Sequence, residues 1–540
     1  MKTKRIEALA VALTLGLGLT LGMTPALAAP AQAQQAATIQ ARTAPGGVAV
    51  TWRLAQPATE VAFLDHNIIR TLWTVTTPGL SLADGVVKSD RPFDTFEILI
   101  APDAAEVDRV YMGLTRVGAG HVLYGPGLAL KGIDAELTAQ PVARETTLPQ
   151  AHAIKGYAYL GPEAAVTRRD GGAVVSGASV PASLSRLMSD GFLAAQTFYG
   201  ARLGRDLPYR PVLIVTTDSP GPSTFRGDVT DTGVISTRFF GASWDPPAED
   251  VAGPLSTFVW HETFHLWNGH GLTVKDGDTA PWLHEGGAEY GAMVAAASSG
   301  VIDDAQARSS LAERLNGCRS ALKDRDYNPR RLQSGSGIYD CGVVIQWIAD
   351  LEARQASQGR RDILDVWKTM LDAGRAGDGY GVADFRALLP ADSGVNILLD
   401  GPGADRWAGI EARLTALGVA LKDEPGRGDY RRAALFHLNA QNCTGGSAGF
   451  YQVPEGIKLD TTEKCGVLAG SPIIAAIEDH DPYADAQGMF FAVQARCAAE
   501  LPVRYRFQDG RSVEAVCKAP LATPRAWVVT AAPSLKTRSA

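Results

Sequence analysis

The chain opens on an apolar run, residues 8–23, relieved only by glycine and threonine and preceded by Lys2, Lys4 and Arg5. Ala26-Leu27-Ala28 then offers small residues for cleavage before Ala29. A basic start, a short apolar stretch and a small-residue site predict a secretory leader over 1–28, since a membrane span needs a longer apolar segment. Residues 29–37 are rich in Ala and Gln and read as a flexible lead-in. Over 38–145 the apolar residues fall in short runs broken by glycine and proline, clearest at 48–52, 69–76, 96–100 and 110–114. Short β-rich runs punctuated by turn residues predict an antiparallel, sandwich-like β domain. It carries no catalytic constellation.

The period changes over 146–422. Residues 183–203 repeat at helical spacing, 211–215 and 232–236 read as strands, and 254–260 form an apolar run. That run predicts a buried helix with Pro254 at or near its first turn, where a missing N–H costs nothing. A polar loop at 273–279 follows, and helical patterns recur at 303–323, 343–355, 362–371 and 405–417. From Pro425 onward the pattern returns to short strands, giving a small β-rich, disulfide-braced region over 428–530. The order of elements predicts an α+β protein.

Charge and cysteine usage narrow the class. The net charge of −7 becomes −9 once the leader's Lys2, Lys4, Arg5 and Glu7 are removed. No basic cluster remains, which argues against nucleic acid or an anionic membrane as partner. No stable membrane insertion is expected after leader removal, and the pattern carries no signal for oligomeric state. All six cysteines lie beyond the leader, and an even number in an exported chain implies disulfides. Fifteen pairings are possible; closeness in sequence favours Cys318–Cys341, Cys443–Cys465 and Cys497–Cys517. A periplasmic or secreted location is expected.

The chemistry concentrates in His261-Glu262-Thr263-Phe264-His265 and in Glu285 of Trp282-Leu283-His284-Glu285-Gly286-Gly287-Ala288-Glu289-Tyr290. Histidines four apart on a helix share one face, so both imidazoles can bind one ion. Glu262 projects beside that ion and can take a proton from its water. Glu285 as third ligand leaves a position open, the pattern of a catalytic Zn2+ site. His270, His284 and Glu289 are candidates for orienting the ligands or for plain polar packing. Trp244, Trp260, Trp267 and Trp282 are expected to wall the cleft.

The sequence His261-Glu262-x-x-His265, Trp267-Asn268, then Trp282-Leu283-x-Glu285-Gly286-x-x-x-Tyr290 resembles the gluzincin metallopeptidases, aminopeptidase N among them. The Trp-Asn pair is most similar to the bacterial glycyl aminopeptidase family. Nineteen residues lie between His265 and Glu285, one more than is usual in aminopeptidase N relatives. Ile338-Tyr339-Asp340-Cys341-Gly342 is similar to the family's Tyr-x-Lys-Gly segment, and the resemblance implies that Tyr339 stabilises an oxyanion. Here Cys341 stands in place of the lysine. The family's amine-binding strand motif has no match; Asp228 or Asp231, in 225–233, can hold an ammonium group or cap a turn.

The implied fold is an N-terminal β domain, a thermolysin-like catalytic domain and a small C-terminal domain with a weak PDZ-like likeness at 466–477. The implied activity is zinc-dependent hydrolysis of a peptide or protein substrate, in the manner of an aminopeptidase. The competing readings are a non-peptidase zinc hydrolase and an inactive zinc-binding envelope scaffold.

Overall fold

The computed structural model describes residues 35–537 apart from 66–67, 103–110, 151–152, 205–206, 219–223, 231, 242–243, 246, 248, 271, 446–447 and 454. The expected leader and Asp231 lie outside the described residues. The architecture is α+β, with β sheets ahead of a helical region.

The first sheet runs in the order Ile133–Ala139, Gln35–Ala44, Gly47–Ala62, Val86–Ile100 and Trp73–Val75, with Ser81–Ala83 also on Val86–Ile100. Its ladders are antiparallel except where Gln35–Ala44 meets Ile133–Ala139. Trp52 organises the core beneath it, stacked on Phe96 at 4.8 Å with Phe63 at 5.7 Å. The run at 69–76 is not one strand. Ile68–Ile69 and Trp73–Val75 are separated by a turn in which Trp73 N–H bonds the Arg70 carbonyl. The Arg70 guanidinium holds that turn by lying over Phe63 and Trp73, at 4.7 and 5.0 Å from the ring centroids.

A four-stranded sheet, Glu145–Leu148, Tyr157–Pro162, Gly120–Tyr124 and Leu114–Val117, leads to a five-stranded one. Its order is Val166–Arg169, Gly172–Ser176, Val212–Asp218, Val234–Phe240, Thr224–Val229. The middle three are parallel, and Thr224–Val229 is an antiparallel edge. Helix α1 (Ala182–Leu203) crosses between the first two parallel strands, burying Leu184, Met188, Phe192, Ala195, Tyr199 and Leu203 at helical spacing.

The helical region comprises α2 (Glu249–Asn268), α3 (Trp282–Ser298), α4 (Asp304–Leu322), α5 (Gly337–Ala356), α6 (Ile363–Ala376), α7 (Val382–Ala387), α8 (Gly394–Asp400) and α9 (Gly403–Ala416). Helix α2 starts at Glu249, so Pro254 sits inside it rather than at its first turn. The lost N–H falls in the second turn, and the buried face beyond it carries the helix forward. Helix α5 starts at Gly337, ahead of the 343 expected from periodicity, and so includes Tyr339. Helix α3 is buried on nearly every side, its polar His284, Glu285 and Glu289 lying near its N-terminal end. It meets α5 at a glycine pair: a methyl group on Gly286 would lie 2.3 Å from Gly342 Cα. No other residue permits that approach.

Beyond residue 425 the short strands form a five-stranded antiparallel sheet spanning Gly449–Val453 to Ser512–Ala515. Two helices cover it, α10 (Arg427–Asn442) and α11 (Ala486–Ala498). The first corrects the strands-only reading of this stretch; Ala434, Leu435 and Leu438 pack it onto the sheet. The disulfides are Cys318–Cys341, Cys443–Cys465 and Cys497–Cys517, the sequential pairing. The chain then returns to the helical region, where Trp527–Ala531 pairs with Ala420–Asp423 and Trp527, Val529 and Leu535 join its core. No helix among the described residues is long and apolar enough to cross a membrane.

Candidate metal centre

Helix α2 places His261 and His265 one turn apart while Leu255, Val259, Phe264 and Trp267 anchor it in the core. Trp267 Nε1 bonds the Gly204 carbonyl at 2.8 Å, and Tyr199 packs edge-on to Phe264 at 5.0 Å. Glu285 stands in the first turn of α3. The polar loop between these helices is pinned by Tyr380: Lys275 N–H bonds its carbonyl at 2.8 Å, its N–H bonds the Thr273 carbonyl at 3.0 Å, and its hydroxyl bonds the Asn268 carbonyl.

The three donors converge. His261 Nε2 is 3.1 Å from His265 Nε2 and 3.3 Å from Glu285 Oε2, and His265 Nε2 is 3.4 Å from that oxygen. Ligands about 2.0–2.2 Å from a tetrahedral zinc lie roughly 3.3–3.6 Å apart, close to the separations seen here. The residues therefore fit a tetrahedral ion of that size, with a fourth direction facing the cleft.

The outer nitrogens fix the rings. The Glu289 carboxylate can only accept, so His261 Nδ1–H donates to Glu289 Oε2 at 2.9 Å. Asn268 Nδ2 donates to the His284 carbonyl at 2.7 Å, which turns Asn268 Oδ1 toward His265 Nδ1 at 2.9 Å. Both Nε2 lone pairs are thereby aimed at the shared centre. Glu289 also pairs with Arg314 of α4, which reaches Asp340 Oδ1 at 3.1 Å. His284 Nε2 lies 3.4 Å from Glu285 Oε1, and His270 packs near His265, ring centroids 6.4 Å apart.

The electrostatics call for a cation. Burial works against a charged His261, yet the Glu285 and Glu289 carboxylates outweigh it and lift its pKa to about 10. Burial also opposes ionised Glu285, but His265, His261 and His284 hold it far below the usual carboxylate range. Glu289, likewise opposed by burial, is brought to about 2 by Arg314 and His261. Glu262 moves upward, mainly through burial.

Two adjoining cavities, 620 and 470 Å³, share His261, Glu262 and Tyr339. Tyr339 is 38% exposed and its ring lies 6.1 Å from that of His261, so it faces the cleft. The larger cavity is lined by Pro254, Phe258, Met293 and Ile302 beside Arg314; the smaller holds Asp228, His270 and Asp278. Asp228 comes from the edge strand Thr224–Val229 and accepts a hydrogen bond from Tyr157 at 3.2 Å. Burial pushes its carboxyl upward. All five predicted site residues thus meet in one cleft. Arg314 and Tyr380 carried no spacing signal in the sequence, because their partners are remote along the chain.

An aminopeptidase N family protein from Idiomarina loihiensis is similar in structure, with a TM-score of 0.57 and 14% identity over 93% of this chain and 99% of that one. Yeast LTA4 hydrolase in complex with bestatin overlaps more loosely, at a TM-score of 0.39 and 9% identity over 75% of this chain and 72% of that one. No protein-family model matches the chain, and no curated protein matches it in sequence. At that identity the first likeness establishes the fold, which is that of the aminopeptidase N family protein.

Proposed function

We propose that the chain is a zinc-dependent metallopeptidase, exported by a leader at 1–28 and working outside the reducing cytoplasm. The observation that carries this reading is the convergence of His261, His265 and Glu285 in a cleft that also presents Glu262 and Tyr339. The three paired disulfides suit a periplasmic or secreted compartment. The proposed division is 38–145, 146–422 and 428–530, the last a PDZ-like or other small disulfide-braced β domain whose end, Trp527–Ala531, pairs back onto Ala420–Asp423.

His261, His265 and Glu285 would hold the ion. Bound zinc supplies a Lewis acid that acidifies water and polarises the scissile carbonyl. Glu262, buried at the cleft floor, accepts a proton from the attacking water and passes it to the leaving amine. Tyr339 donates its O–H to the oxyanion; burial and the neighbouring carboxylates keep it protonated. Asp228, which lines the polar cavity, is the group the aminopeptidase reading would use to pair with a free α-ammonium.

The test combines zinc analysis of the mature protein with a peptide library bearing free and blocked N-termini. Glu262→Gln should keep its zinc and lose about 10²–10⁴-fold in kcat. Cleavage of free but not blocked peptides supports the aminopeptidase. Zinc bound without cleavage of either set would sink the peptidase reading and leave the non-peptidase zinc hydrolase and the scaffold.

A further inference from the structure

Helix α4 contributes none of the three converging metal donors, yet three of its residues meet the first turn of α5. Arg314 reaches both Asp340, at 3.1 Å, and Glu289. Gly317, one turn on, is where a methyl group would lie 2.3 Å from Asp340 Oδ2. Cys318 is bonded to Cys341. These contacts close on the two residues that follow Tyr339. The other arm of Arg314 holds Glu289, whose second oxygen takes the Nδ1–H of His261.

One planar guanidinium therefore spans two carboxylates with different tasks. A guanidinium presents its N–H groups in a rigid fork, so fixing one carboxylate fixes the direction of the other. A lysine ammonium is a point donor on a flexible stem and transmits no such direction. Leaving Glu289 and Asp340 unbridged would also place two buried carboxylates on the same side of α4, with side chains only 16% and 11% exposed.

We propose that Arg314 is a positioning residue: it ties the orientation of His261 to the placement of the α5 turn that carries Tyr339, so that metal loading and the oxyanion donor are set together. The inference rests on the peptidase reading for what Tyr339 does, but the coupling itself is a property of the fold. The Cys318–Cys341 bond sets the distance between α4 and α5, and Arg314 sets the angle. Asp340 belongs to the same device and acts only through the turn.

Zinc binding and structural coupling can be measured without turnover. Amide hydrogen exchange across residues 337–342 should slow when Zn2+ is added to the stripped parent protein. In Arg314→Lys, with the disulfide intact, zinc should bind about 10–100-fold more weakly by chelator competition. At saturating zinc, that variant should show no zinc-dependent slowing in the α5 turn. Asp340→Asn should keep parental zinc affinity, lose the slowing, and lower kcat with KM unchanged. Near-parental unfolding temperatures separate this from general damage. Equal zinc-dependent protection of the turn in parent and Arg314→Lys would overturn the proposal, and so would parental zinc affinity in Arg314→Lys. If the parent binds zinc and protects the turn but cleaves no peptide, the peptidase reading fails and the coupling stands.

Discussion

Two clusters among the described residues bring three potential ligand atoms within 4.8 Å of one another: His261, His265 and Glu285, and His437, Cys497 and Cys517. In the first, each imidazole has its Nδ1 engaged by an acceptor, leaving both Nε2 atoms free to face Glu285. In the second, the sulfurs are bonded to each other and His437 Nε2 is 2.9 Å from the Ala519 carbonyl. A disulfide offers no thiolate, and thiolate is the form that binds metal. Among the described residues no carboxylate is paired with His437. Proximity of donors is common to both; what separates them is whether the lone pairs are free and aimed, and whether the surroundings ask for positive charge.

The widest separation should come from removing a ligand. His265→Ala should abolish zinc retention after dialysis, because two remaining donors cannot close a tetrahedral site. Chelation of the parent should produce the same stripped state, reversed by adding zinc. Retention of zinc by His265→Ala would show that the ion sits elsewhere, with the second cluster the first place to look.

The glycine contact between α3 and α5 is the next lever. Gly286→Ala forces a methyl group into the backbone of Gly342. It should destabilise the protein by about 1–3 kcal/mol and move Glu285 away from Tyr339, lowering kcat and zinc affinity together. Thermal unfolding and chelator competition on one preparation would check both. A smaller effect is expected of Glu289→Gln, which keeps the shape but loses the charge that orients His261 and binds Arg314. Zinc affinity should fall about 10–100-fold with little change in secondary structure by circular dichroism.

The legible part of the site was the part written in short spacings. His261 and His265 lie one helical turn apart, and Glu285 opens a neighbouring helix, so a periodic reading finds them. The reason for Gly286 and Gly342 was not legible, because a helix crossing joins residues far apart in sequence and a glycine alone does not say what approaches it. Arg314 was invisible for the same cause: an arginine on an amphipathic helix usually faces water, and only the packing of α4 on α5 turns it inward. Pro254 misled by composition, since a proline read as a helix start lies inside α2. Helix α10 was hidden because its apolar residues bunch at 433–436 instead of repeating at helical spacing, and Cys443 at its end suggested a braced strand region.

The smallest expected effect completes the comparison between the clusters. His437→Ala removes one hydrogen bond, between His437 Nε2 and the Ala519 carbonyl, at a partly exposed position. Such a bond contributes about 0.5–1.5 kcal/mol. The Cys497–Cys517 bond still closes the segment, so the fold of the C-terminal sheet should persist. Zinc content and peptide cleavage should stay at parental values, and only a slight drop in unfolding temperature should appear. The same should hold in oxidising buffer for zinc titrated well above the chain concentration. A second zinc bound only after reduction, and lost in His437→Ala, would mean that the sulfurs are poised as ligands and that the disulfide is what keeps this cluster silent.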